Sequence, residues 1–203
     1  MNILSELLPF LVILNPFALC LYLEDAVHEL DQRSFMRTVG AASAISVVTF
    51  WTFALGGRPL LVRTLGVQPE ALRLFGGLIF LVIAYDYVRK GHLATAELRG
   101  SLRHFPSAIA FPYMIGAGTI TQSILVGEHV STLPTILILL IGVAIAFIVL
   151  VVFKVATDHL KKRRENLFYH YMDIMARLNG LIIGAVSTQM IVFGARALWT
   201  LPK

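Results

Sequence analysis

The sequence predicts an all-α, polytopic membrane protein: six transmembrane helices forming two inverted three-helix repeats, with helices one and four broken. Three observations lead there. Of 203 residues, 57% are apolar and only 14% charged, with a mean hydropathy of +0.78. An average soluble domain carries about 25% charged residues, so most of this chain belongs inside a bilayer. The apolar residues gather into long charge-free runs. A short motif recurs about half a chain apart. The net charge of +5 does not mark a nucleic-acid partner, because in a membrane protein a basic excess belongs to cytoplasmic loops. The single cysteine, Cys20, excludes a disulfide framework and a paired-thiol relay.

A spanning helix needs about 20 mostly apolar residues. The charge-free runs are 7–23, 38–57, 74–85, 105–127, 130–153 and 178–195. The third is short. It reaches spanning length only if Arg73 and Asp86 lie at the interfaces or face protein. Residues 1–8 hold Glu6 and no Lys or Arg, so they lack the basic start of a cleavable signal peptide, and the first run is expected to be retained. All 203 residues then form one membrane domain. Repeat one covers about 1–91, a connecting loop about 92–104, and repeat two about 105–203.

Orientation follows the Lys and Arg of the loops. Arg33 and Arg37 lie in the first loop, Arg89, Lys90, Arg99 and Arg103 in the third, and Lys154, Lys161, Lys162, Arg163 and Arg164 in the fifth. The opposite face holds Arg58, Arg63, Arg196 and Lys203. The odd-numbered loops are therefore expected to be cytoplasmic, with both termini outside. The run Lys161–Arg164 reads first as this topology signal and second as an anionic-lipid site.

The recurring motif is Arg73-Leu74-Phe75-Gly76-Gly77-Leu78-Ile79 against Arg177-Leu178-Asn179-Gly180-Leu181-Ile182-Ile183, an offset of 104 residues. It opens runs three and six. A duplicated unit of three helices must insert its second copy upside down, which is the inverted repeat found in many secondary transporters. Runs one and four are also interrupted. Run one contains Leu14-Asn15-Pro16-Phe17. Run four contains Phe111-Pro112-Tyr113-Met114-Ile115-Gly116-Ala117-Gly118-Thr119. Proline removes a backbone donor and clashes with the preceding turn, and glycine permits an unwound backbone. Interrupted segments at matching places in two halves point to a midplane binding site. The alternative is a pair of packed proline kinks.

In this order and at these spacings, the motifs resemble the MarC family of bacterial inner-membrane proteins, relatives of the neutral amino acid transporters called NAAT. Asn15-Pro16 is similar to the family's first-helix Asn-Pro. Leu72 to Ala84 resembles its third-helix stretch, Ala110 to Thr121 its fourth helix, and Arg177 to Ile182 with Gln189 to Gly194 its sixth. Ala117 stands where the family has proline in Gly-Pro-Gly, and Tyr113 and Met114 replace smaller or aliphatic residues. The resemblance implies six helices, a bacterial inner-membrane location and transport of small neutral amino acids or related metabolites.

The candidate substrate-binding residues are Asn15, Pro16, Pro112, Gly116, Gly118, Thr119 and Thr121. Asn15 can offer donors and an acceptor to a zwitterion, or cap the half-helix after Pro16. Thr119, Thr121, Gln122 and Ser123 line a polar cavity or satisfy their own helix. The candidate gating or structural polar residues are Arg73, Arg177, Asn179 and Gln189. An arginine within a span snorkels, pairs or lines a pathway; Asp86 and Asp173 are the carboxylates placed to pair with one. Gly180 and Gly184 form a close-packing Gly-x-x-x-Gly surface. No acidic residue falls at mid-depth of a run, which argues against a metal exporter and a carboxylate proton relay. The histidines form no HExxH pair, and no nucleophile elbow or phosphate loop occurs. The sequence therefore reads as a non-enzyme without metal or cofactor. Its partners would be a small-molecule solute and the lipid bilayer, and its small-residue faces allow a homodimer. The competing readings are a non-transporting scaffold or regulatory subunit and a lipid-handling protein.

Overall fold

The structure, a computed structural model, describes residues 3–91, 114–161 and 165–200. All regular structure among the described residues is helical. The helices are α1 (Ile3–Leu14), α2 (Pro16–Tyr22), α3 (Glu24–Glu29), α4 (Gln32–Pro59), α5 (Pro69–Lys90), α6 (Ala117–His129), α7 (Thr132–Lys161) and α8 (Glu165–Thr200). A π-helical turn, Leu60–Leu65, links α4 to α5. Five described stretches are long and apolar enough to cross a membrane: Ile3–Tyr22, Gln32–Thr64, Pro69–Lys90, Thr132–His159 and His170–Thr200. The expected fourth span is described only from Met114 onward. Pro112 and the connecting loop at 92–104 lie outside the described residues.

Local chemistry explains where these helices start and stop. Pro16 and Pro69 occupy the first turns of α2 and α5, where a missing N–H costs nothing. Asp31 caps α4 by accepting from the N–H groups of Arg33 (3.1 Å) and Ser34 (3.2 Å). Near its end α4 breaks at Gly57, whose φ of 54° and ψ of −156° favour glycine. Counting charge-free residues underestimates α5. It runs for 22 residues and carries both Arg73 and Asp86 within the helix.

The most extensive helix packing is α5 against α8. The two run antiparallel, since Gly194 meets Glu70 and Leu74, Gly77 meets Ser187 and Ile191, and Gly180 meets Ala84 and Tyr87. A Cβ at Gly180 would lie 2.9 Å from the Tyr87 Cβ and 3.1 Å from the Ala84 carbonyl oxygen. Small residues permit this approach, and in lipid it is packing rather than water exclusion that holds helices together. On the other side α4 and α6 run parallel. The Ser46 hydroxyl, midway along α4, lies 3.6 Å from the sulfur of Met114, just ahead of α6, and Gly127 sits on the backbone of Ala54 near the ends of both helices.

The larger core cluster joins α1 to α4, α7 and the stretch just ahead of α6 through fully buried Phe10, Leu19, Phe35, Phe50, Met114, Leu139 and Leu150. Phe10 and Phe50 meet edge to face, with ring centroids 5.4 Å apart. A second cluster joins α2, α5 and α8 through Leu21, Ala84, Tyr87, Met172, Ala176 and Ile183. Outside these clusters Leu8, Phe75, Val82, Leu133, Ile148, Val152, Leu181 and Ile182 are exposed. A soluble monomer rarely shows so broad an apolar surface; lipid covers it at no cost.

Candidate functional site

The first expected break is present at Asn15, the one non-glycine residue with positive φ among the described residues (φ 48°, ψ 75°). Asparagine tolerates this left-handed conformation better than most residues. Its backbone N–H still bonds the Leu11 carbonyl (2.9 Å), and its carbonyl accepts from Leu19 (3.2 Å). Between these bonds the helical ladder fails. Pro16 has no N–H for the Val12 carbonyl. The Ala18 N–H donates to Asn15 Oδ1 at 3.0 Å instead of to the Leu14 carbonyl. Asn15 Nδ2 in turn donates to Asn179 Oδ1 of α8, also at 3.0 Å. Asn179 is buried, and its own Nδ2 has no hydrogen-bond partner among the described residues.

A cavity with about 30 Å³ of water-sized space lies beside this break, lined by Val12, Ile13, Leu14, Asn15, Ala18, Tyr22, Phe80, Ile183 and Val186. That is room for a water molecule. The lining carries neither a carboxylate nor a cation.

The second break lies at Gly116, which caps α6 in an extended conformation. Its N–H donates to Thr119 Oγ1 at 2.9 Å. The Thr119 hydroxyl faces the carbonyls of Gly116 (3.0 Å) and Met114 (3.1 Å), and its single hydrogen serves one at a time. Thr121 donates to the Ala117 carbonyl (2.8 Å) and Ser123 to that of Thr119 (2.7 Å). These hydroxyls therefore bond their own helix. Gly118 brings the two breaks together. A Cβ there would meet Ile13 at 3.1 Å, Phe80 at 3.2 Å and Met190 at 3.2 Å. Ile13 and Phe80 also line the Asn15 cavity. Gly76 of α5 closes over the Gly118 N–H, at 2.9 Å from a Cβ built there.

The remaining polar residues named from sequence are spread along α5 and α8. The Arg73 guanidinium lies 5.1 Å from the centre of the Phe193 ring. At the other end of the pair, Arg177 bonds Asp173 at 2.9 Å and the Val88 carbonyl at 2.8 Å. Asp86 pairs with Lys90 at 3.4 Å. Gln189 is exposed, away from the cavity.

Sequence reasoning overlooked two features. Arg58, counted there only as a loop charge, bonds Glu70 of α5 and, at 3.0 Å, Glu128 of α6, so three helix ends meet on one guanidinium. Close by, His129 Nδ1 lies 3.1 Å from Glu6 of α1. Lys154, placed in a loop, is a buried residue of α7, because the helix continues well past the fifth apolar run. Its ammonium donates to the Val27 carbonyl (2.6 Å) and to Asp158 (2.8 Å). The spacing of Lys154 and Asp158 by one helical turn was the available signal.

Long apolar helices, glycine-rich helix contacts and an apolar exterior define an integral membrane protein of the helical, multi-pass class. Residues 1–199 match the model of the MarC family integral membrane proteins, and the chain belongs to that family. It is 24% identical to a UPF0056 membrane protein of Aquifex aeolicus, over 94% of this chain and 91% of the other. Similarity to a UPF0056 membrane protein of Pyrococcus horikoshii is also 24%, over 96% and 93% of the two chains. One from Methanocaldococcus jannaschii shares 27% over 71% of each. No solved structure matches the chain.

Proposed function

We propose that this protein is a secondary transporter of small neutral solutes such as amino acids, working by alternating access in the bacterial inner membrane. In this reading six spans form two inverted halves, both termini face outside, and solute binds where the first and fourth spans are interrupted. The observation that carries it is the break at Asn15. A left-handed residue at mid-span leaves the Val12 and Leu14 carbonyls without their helical donors, beside a cavity and a buried amide with an unused donor. Unpaired backbone at membrane depth is tolerated where it is buried in protein or lines a water-filled cavity. The convergence of Gly118 on Ile13 and Phe80 supports a shared site for the two halves. So does the position of Arg73 and Arg177 at opposite ends of the antiparallel α5–α8 pair.

Reconstitution into liposomes tests this. Wild-type protein should exchange labelled small neutral amino acids. Asn15→Ala should abolish exchange without affecting membrane insertion. Gly118→Leu should do the same, since three side chains already crowd that position. No exchange of any amino acid by the wild type, together with co-purification of one stoichiometric partner, would replace the transporter by a scaffold.

A further inference from the structure

We infer that Asn179 reads the solute as a hydrogen-bond donor, so that the solute class is small molecules presenting a carboxylate or carbonyl oxygen to its Nδ2. This rests on the transport reading above and adds the atom that recognises. The direction of every bond follows from one backbone group. The Ala18 N–H is only a donor, so the Asn15 atom 3.0 Å from it is the oxygen. The other end of that amide is then an NH₂, and only an acceptor can meet it. Asn179 therefore turns its oxygen to Asn15, at 3.0 Å. What remains is the Asn179 NH₂, in a residue only 7% exposed, with no partner among the described residues. Buried donors are almost always paired, which marks this one for an acceptor that the described residues do not supply.

The surroundings narrow the acceptor. Asn15 forms one wall of the cavity and Ile183, one turn beyond Asn179 on α8, forms another, while Asn179 itself stands behind Asn15 and off the lining. Other polar groups there include the Val12 and Leu14 carbonyls, deprived of their helical donors at the end of α1. A helix C-terminus and bare carbonyls suit an ammonium group. With no cation in the lining, a lone carboxylate would stay uncompensated, whereas a solute carrying its own ammonium is neutral overall. The cavity in this conformation has room for one water molecule but does not open onto the Asn179 Nδ2, which is closed to solvent. Solute would occupy a wider conformation.

Two substitutions reverse the free group while keeping the number of heavy atoms. Asn179→Asp still accepts from Asn15 and has no NH₂ to present. Asn15→Asp still caps Ala18, but it forces Asn179 to turn its NH₂ toward position 15 and leaves an oxygen as the free end of that amide. Full-length protein in detergent is titrated with L-alanine, with ethylamine, which lacks the carboxylate, and with propionate, which lacks the ammonium. Binding is followed by thermal shift and calorimetry. Alanine should stabilise the wild type and ethylamine should not. Either substitution should weaken alanine binding by about tenfold or more, the scale of a lost charge-assisted hydrogen bond. Equal binding of ethylamine and alanine, or wild-type alanine affinity in Asn15→Asp, overturns the inference and leaves the transporter standing. Failure of the wild type to bind any of the three removes both readings and leaves the Asn179 amide a purely structural partner of Asn15. If Asn179→Asp does not fold, Asn15→Asp decides alone.

Discussion

At the scale of the residue, Asn15 does two things that substitution can separate. Its backbone holds a left-handed conformation that a Cβ makes costly by about 1–2 kcal/mol, and its side chain caps Ala18, worth about 1 kcal/mol. Asn15→Gly loses the cap but also sheds the Cβ strain, so it should cost no more than a few tenths of a kcal/mol. Asn15→Ala loses the cap and keeps a Cβ in that conformation without asparagine's local hydrogen bond, and should cost about 1–2 kcal/mol. Thermal denaturation in detergent would order them wild type, glycine, alanine; equal losses would remove the strain argument. Asn15 and Asn179 were each legible as polar residues in apolar runs. Their bond was not, because it joins positions 164 residues apart. For Thr119 and Thr121 the sequence left two choices open, and both hydroxyls bond carbonyls of their own helix start. A threonine hydroxyl chooses between cavity and helix by local backbone geometry, which sequence does not display.

At the scale of the element, the helix ends are tied by charged groups that sequence did not join. Removing Arg58 would leave Glu70, nearly buried, and Glu128 without their shared partner. The arginine is about two-fifths exposed, so solvent screens much of the attraction. Arg58→Ala should therefore cost roughly 1–2 kcal/mol, and Arg58→Lys part of that, since an ammonium cannot span two carboxylates as a guanidinium does. Chemical denaturation of both variants would measure it; an alanine variant as stable as wild type would make the node ornamental. The start of α4 gives a pH dependence. Hydrogen bonds from the Ser34 hydroxyl and backbone N–H, with that of Arg33, hold the Asp31 carboxyl below its ordinary 3.8. A depressed value in the folded state means the cap is fully effective above that ordinary value and is lost as pH falls through the lower one. Amide exchange at Ser34 should speed up relative to Asp31→Asn only in that acid range, because asparagine caps without titrating. The α5–α8 seam was the most legible element contact, through Gly-x-x-x-Gly at 180 and 184. The Gly57 break was not legible, since one glycine near the end of a long apolar helix carries no distinctive signal.

At the scale of the whole molecule, the contacts gather the ends of the helices into two layers. Glu6 of α1, Arg58 of α4, Glu70 of α5 and Glu128 and His129 of α6 meet at one end, where Gly194 of α8 also packs on Glu70. Val27, Val88, Lys154, Asp173 and Arg177 lie at the other. Geometry thus brings the start of the first and the end of the last described helix to one side, which the proposed orientation places outside. Helix α8 offers a direct test, because exposed Tyr171 and Trp199 stand near its opposite ends. At 1.5 Å per residue they lie about 42 Å apart along the axis, more than the roughly 30 Å of hydrocarbon. With the sole native thiol removed by Cys20→Ala, a membrane-impermeant maleimide added to intact cells should label Trp199→Cys and spare Tyr171→Cys, and permeabilised cells should label both. Leu4→Cys, exposed near the start of α1, should behave as Trp199→Cys does. The reverse pattern for all three would invert the molecule, placing Arg58 inside and Lys154 outside against the loop charges. Labelling of Leu4→Cys and Trp199→Cys from different sides would demand an odd number of spans, and with it the loss of any symmetric division into three and three.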